Sequence, residues 1–113
     1  APLIRGGESL EQGIAALQSL PVEGYMVNCV PTGLVQPALE LMRRCTDRPL
    51  GAYANNCEMA ADQVTLDANA VQALSPQQYV LASERWVEAG ATWIGGCCDT
   101  RPDYIAALAT RWH

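Results

Sequence analysis

Cys97 and Cys98 stand side by side, directly after Gly95-Gly96 and at the end of the apolar run Trp93-Ile94. Thiols in that setting lie where a buried strand leaves the core. A disulfide between sequence neighbours is strained, because the bond prefers Cα atoms roughly 4.4–6.8 Å apart and a narrow range of dihedral. Two thiolates aimed at a soft metal are the reading that carries chemistry. The glycine pair allows a sharp turn and close approach of the backbone to a ligand. A thiol redox pair is a second reading, weakened by the lack of Cys-x-x-Cys spacing. A pair of small buried hydrophobes is the third.

Two ligands do not make a zinc site, so a third thiolate has to come from elsewhere in the chain. Cys29, Cys45 and Cys57 are the remaining cysteines. Cys29 ends the short apolar run 24–29, which reads as a buried strand. Cys45 falls near a helix end and reads as packing or a surface thiol. Cys57 follows the strand 50–54; as a fourth protein ligand it would close the site, so it reads as a bystander thiol.

The elements that must position these residues follow from periodicity and caps. Ser9 and Gln12 form a capping box for a helix marked by Leu10, Ile14 and Leu17, which Pro21 ends. Leu34, Ala38, Leu41 and Met42 mark a second helix running to about Arg44, with Pro37 blurring its start. Residues 59–74 show no clean period and read as a long loop with one helical turn at most. Ser75-Pro76-Gln77-Gln78 opens a third helix carrying Val80, Leu81, Trp86 and Val87, which Gly90 closes. Residues 91–96 form the last strand. Thr100 is the expected cap of a final helix with Ile105, Leu108 and Trp112 on its inner face.

The order is helix, strand, helix, strand, helix, strand, helix. Each strand is a continuous apolar run rather than an alternating one, which is the pattern of a parallel sheet covered by helices. The expected class is therefore α/β. Parallel sheets gather their functional groups at the C-terminal ends of the strands. Cys29 ends the first strand, and Cys97 and Cys98 end the third. Three cysteine ligands leave one tetrahedral position open, the catalytic form of a zinc site.

Bulk properties narrow the class further. At 113 residues, with 50% hydrophobic residues and a net charge of −5, the chain reads as one globular domain. The seven basic residues are all arginine and are scattered, which argues against nucleic acid. No apolar run approaches the ~20 residues of a membrane span, and no basic-then-apolar leader is read. An odd number of cysteines at irregular spacing fits a reducing compartment, hence an expected cytoplasmic location.

Several motifs together carry a resemblance. Asn28-Cys29 ends a strand and is followed by a proline-containing loop. Tyr53-Ala54-Asn55-Asn56-Cys57-Glu58 is similar to a Tyr-Pro-Asn-x-Gly-Glu motif. Trp86 and Gly90-Ala91 precede Ile94-Gly95-Gly96-Cys97-Cys98, with Arg101-Pro102 after it, and Gly7-Glu8-Ser9-Leu10 matches a stretch after a fifth strand. In these features the chain resembles the zinc-dependent homocysteine S-methyltransferases, along nearly its whole length. Ala54 in place of proline and Cys57 in place of glycine are departures.

The resemblance implies parallel (β/α) units forming the C-terminal portion of a (β/α)8 TIM barrel. Residues 1–113 would be one partial domain of about strands six to eight with flanking helices. A whole barrel takes roughly 250 residues, so the rest of the barrel or self-association is the implied partner. The first half, with the acidic residues that hold the substrate's amino group, is not in the chain. The resemblance further implies Zn²⁺ held by Cys29, Cys97 and Cys98, with homocysteine and a methyl donor as substrates and methionine as product. Zinc removes the proton of a thiol whose ordinary pKa is about 8.5. Asn55 and Glu58 would help shape the substrate pocket. The alternative is a non-catalytic zinc-binding partial barrel that acts in assembly.

Other polar and aromatic residues have plainer readings. Asn28 orients a ligand loop or serves ordinary turn chemistry. Glu58 is a pocket residue or an exposed loop carboxylate. Trp86 and Trp112 lie at helical spacing and read as core. Arg101-Pro102 reads as a helix start, Glu8 as a solvated residue, and the terminal His113 is not counted as a ligand.

Overall fold

A computed structural model describes residues 6–57 and 73–112. Four helices and three strands alternate: α1 Leu10–Leu17, β1 Tyr25–Pro31, α2 Thr32–Cys45, β2 Leu50–Asn55, α3 Pro76–Glu88, β3 Ala91–Gly96 and α4 Pro102–Trp112. The strands form one parallel sheet in the order β1-β2-β3. This bears out the α/β class and the parallel sheet. Most of the loop expected over residues 59–74 lies outside the described residues, as does Glu58.

The caps explain where the helices begin. Ser9 and Ser75 each accept the backbone N–H three residues on, and Gln12 and Gln78 each return a bond to the cap. These reciprocal bonds satisfy donors that a helix start leaves orphaned. Helix α2 starts two residues earlier than its apolar pattern suggests. Its flanking Pro31 makes no side-chain cap. Instead the Cys57 carbonyl accepts both the Thr32 N–H and the Thr32 hydroxyl, each at 2.9 Å. A cap drawn from 25 residues away is invisible to a local pattern. Pro37 sits inside the helix, where its missing N–H removes one bond near the start.

Thr100 is the other correction at a helix start. Helix α4 begins at Pro102, and Arg101 supplies the first carbonyl, to the Tyr104 N–H at 3.0 Å. The Thr100 hydroxyl turns back and donates to the Cys97 carbonyl at 2.8 Å. A hydroxyl so placed closes the preceding turn rather than opening the helix.

Helices α2, α3 and α4 cover one face of the sheet. Leu50, Ala52 and Ala54 point into that layer and are fully buried against Val35, Leu39, Met42, Tyr79 and Trp86. Trp86 is 1% exposed, in line with its reading as core. Trp112 is partly buried, and its indole N–H donates to Ser83 Oγ at 2.8 Å. Met26, Tyr53 and Trp93 stand on the opposite face and are 40, 40 and 41% exposed. Among the described residues that second face has no helix on it.

Candidate metal centre

The C-terminal ends of β1 and β3 bring three thiols together. Cys29, Cys97 and Cys98 have their Sγ atoms within 4.8 Å of one another, and Cys29 and Cys98 are 3.7 Å apart across 69 positions of sequence. Cys57 lies outside this group. The five cysteines form no disulfide.

Cys29 reaches the group through an irregular backbone. The β1–β2 register shifts between Asn28 and Pro31, and Cys29 itself has φ 61°. A shift of this kind re-aims a side chain that a regular strand would place elsewhere. The left-handed conformation costs a non-glycine residue about 1 kcal/mol or more, and such strain collects at functional positions. Asp99, just after the cysteine pair, has the same φ of 61°.

Gly95 and Gly96 continue strand β3 and do not make the expected sharp turn. Neither has a positive φ. A Cβ on Gly95 would lie 2.7 Å from Tyr53 Cε1, and one on Gly96 would overlap the Thr100 side chain. They give room to protein side chains that pack the turn, so the chain can pass between Tyr53 and Thr100.

The turn carrying Cys97 and Cys98 hangs from the end of β2. Cys97 N–H donates to the Ala54 carbonyl at 2.9 Å, and Asn56 N–H donates to the Cys98 carbonyl at 2.8 Å. Asn55 Oδ1 accepts the Cys98 N–H at 3.0 Å. Asn56 Nδ2 reaches the Asp99 carbonyl at 3.2 Å. The buried Asn56 side chain also donates to the Tyr104 hydroxyl at 2.8 Å and accepts the Leu74 N–H at 2.9 Å, while that hydroxyl donates to the Leu74 carbonyl. Tyr79 lies beneath: its hydroxyl is 3.0 Å from the Ala54 carbonyl and 2.8 Å from that of Gly95, bridging β2 and β3. Asn56, Tyr79 and Tyr104 were not singled out by the sequence. The Asn55-Asn56 doublet at a strand end was the available signal.

The electrostatics suit a cation. Cys98 is pushed up to about 11, first by its hydrogen bond and charge interaction with Cys29 and then by those with Cys97. Crowded thiols resist losing successive protons because each thiolate repels the next, and a bound dication reverses that penalty. Burial, and secondarily the Asp99 carboxylate, push the Cys57 thiol up.

The spacing also fits. Tetrahedral Zn–S bonds of about 2.3 Å place neighbouring sulfurs about 3.8 Å apart, close to the Cys29–Cys98 separation of 3.7 Å. The donor set therefore suits a soft, tetrahedral ion, which these three thiols could hold.

Known proteins share this arrangement of chain and fold. Residues 2–112 match the family described as homocysteine S-methyltransferase. The chain is 28% identical over 103 residues to a selenocysteine methyltransferase of Astragalus bisulcatus, covering 90% of this chain and 30% of that protein. It is 32% identical over 83 residues to the homocysteine S-methyltransferase YbgG of Bacillus subtilis, covering 74% and 25% respectively. The metallated form of the homocysteine methyltransferase MmuM from Escherichia coli superposes with a TM-score of 0.70 at 29% identity, over 93% of this chain and 30% of that one. The chain thus spans between a quarter and a third of the length of these relatives. A match running from end to end of the chain, on a sheet that delivers three thiols to one point, makes it a member of the homocysteine S-methyltransferase family.

Proposed function

We propose that this chain is the C-terminal portion, about strands six to eight, of a (β/α)8 barrel that methylates homocysteine to methionine. Zn²⁺ is the metal of that reading, and Cys29, Cys97 and Cys98 are its ligands. The observation that carries the proposal is the convergence of those three sulfurs within 4.8 Å at the C-terminal strand ends. Family membership and the metallated MmuM neighbour support it.

When bound, the metal supplies a redox-inert Lewis acid that keeps a fourth, substrate sulfur deprotonated. The chain's own part is to hold three thiolates on one side and leave the other open. The Cys29 backbone shift and the turn after β3 fix that geometry before substrate arrives, which lowers the entropic cost of the encounter. The substrate sulfur attacks the methyl carbon of a positively charged donor, a sulfonium or quaternary ammonium. The new C–S bond forms as the old C–S⁺ or C–N⁺ bond breaks, and its electron pair leaves with the donor. Asn55 and Glu58 help shape the substrate pocket in this reading.

The uncovered sheet face supports the barrel. Parallel sheets are normally covered on both faces, yet Met26, Tyr53 and Trp93 stand exposed and β1 and β3 are both edges. An apolar groove lined by Tyr53, Trp93, Ile94, Ile105, Leu108 and Trp112 runs beside β3. The remaining barrel strands, or a second copy of the chain, are the proposed cover. No described helix is long and apolar enough to cross a membrane, and the reduced thiols fit a cytoplasmic setting.

The test is metal content and thiol methylation by the chain, alone and with its completing partner. About one zinc per chain, and methylation lost in Cys97→Ser, support the reading. Normal methylation in Cys97→Ser would sink the metal assignment. Zinc binding with no methylation by any assembly would favour the non-catalytic alternative.

A further inference from the structure

We propose that Asn55 and Asn56 are positioning residues for the cysteine pair: a two-residue clamp on the end of β2 that sets the Cys97-Cys98-Asp99 backbone and so the angle at which two of the three sulfurs meet a metal. The inference rests on the metal-centre reading above.

The clamp is visible bond by bond. Regular parallel pairing between β2 and β3 ends at Ala54 and Gly96. Beyond that point the sheet would supply no further register, yet four bonds continue across the gap. Ala54 holds Cys97 by its carbonyl, and Asn55 holds the Cys98 N–H by its side-chain oxygen. Asn56 holds the Cys98 carbonyl by its backbone N–H and the Asp99 carbonyl by its side-chain amide. Both backbone polar groups of Cys98 are therefore taken up by two adjacent asparagines.

Chemistry dictates the residue type. Holding an N–H from a side chain requires an acceptor, and holding a carbonyl requires a donor; the amide of asparagine offers both on a short, stiff stem. Asp99 follows in the left-handed region, so the turn resists its own conformation and needs outside support. Asn56 is itself fixed, being buried and bonded to Tyr104 and Leu74. The support thus runs from α4 through Asn56 into the ligand turn. Cys29 arrives separately, from β1, through its own backbone irregularity.

Partners that orient metal ligands typically change affinity 10–100-fold when removed. The experiment titrates Co²⁺ and Zn²⁺ into the reduced chain, by chelator competition and by the thiolate-to-Co²⁺ absorption bands, for the parent, Asn55→Ala and Asn55→Asp. Asn55 is half-buried, and circular dichroism reports whether each variant keeps its fold. The expected result is about 10-fold or greater loss of affinity in Asn55→Ala, with an altered Co²⁺ spectrum at unchanged helix content. Asn55→Asp keeps the acceptor oxygen and restores the parental spectrum. Parental affinity and spectrum in Asn55→Ala would overturn the clamp while leaving the metal centre standing. Failure of the parent itself to bind either ion would overturn the metal centre and the clamp with it.

Discussion

The two faces of the single sheet differ more than any other pair of regions in the chain. One face carries small and branched residues, Leu50, Ala52 and Ala54, all fully buried under three helices. The other carries Met26, Tyr53 and Trp93, residues large enough to dominate a core, at about two-fifths exposure each. Small residues on the covered face let helices approach closely. Bulky residues on the open face can fill a space only if something else brings the opposite wall. The contrast teaches that the helical side of the sheet is closely packed while the other side, among the described residues, is open, and that the thiol cluster lies at the C-terminal strand ends.

Substitutions on the two faces should therefore behave unequally. Trp86→Ala, under the helices, is expected to lose about 3–5 kcal/mol of stability and to unfold the chain in mild denaturant, as followed by circular dichroism. A midpoint unchanged from the parent would mean that the covered face is not the core.

Asn56→Leu comes next. It leaves the buried Leu74 N–H without its side-chain acceptor and the Asp99 carbonyl without its side-chain donor, for an expected loss of about 1–3 kcal/mol. Urea unfolding measures this, and an equal or higher midpoint would contradict the hydrogen-bond network drawn around Tyr104.

Tyr79→Phe is smaller, about 1 kcal/mol, and its pH dependence sharpens the comparison. Burial holds the Tyr79 hydroxyl well above its ordinary value. With its folded pKa raised, the neutral hydroxyl's contribution is full below the unfolded value of about 10 and is lost as pH rises beyond it. The gap between parent and variant should stay constant from pH 7 to 9 and shrink above pH 10. A constant gap at pH 11 would show that Tyr79 does not titrate this way.

Trp93→Ser on the open face is the smallest effect for the isolated chain, within about 0.5 kcal/mol. Its signature lies elsewhere: light scattering should show less self-association than the parent. A loss of stability as large as that of Trp86→Ala would mean that the open face is already covered.

Much of this was legible in the chain. The serine and glutamine caps of α1 and α3, the three apolar strands, their parallel order and the candidate thiols all rest on local chemistry: spacing, capping and residue type act over a few positions. The residues 24–29, 50–54 and 91–96 each became strands within two residues of the expected ends. Three features were settled only by the tertiary structure. Helix α2 starts where a distant Cys57 carbonyl caps it. Gly95 and Gly96 make room for Tyr53 and Thr100 instead of bending sharply. Asn55 and Asn56 took up the ligand turn through bonds that cross some 43 positions. Each depends on which strands lie side by side, and strand adjacency is a property of the whole fold. The sequence by itself determined which residues could ligate a soft metal; the parallel sheet, and the left-handed turn at Cys29, decided that three of the five cysteines would meet.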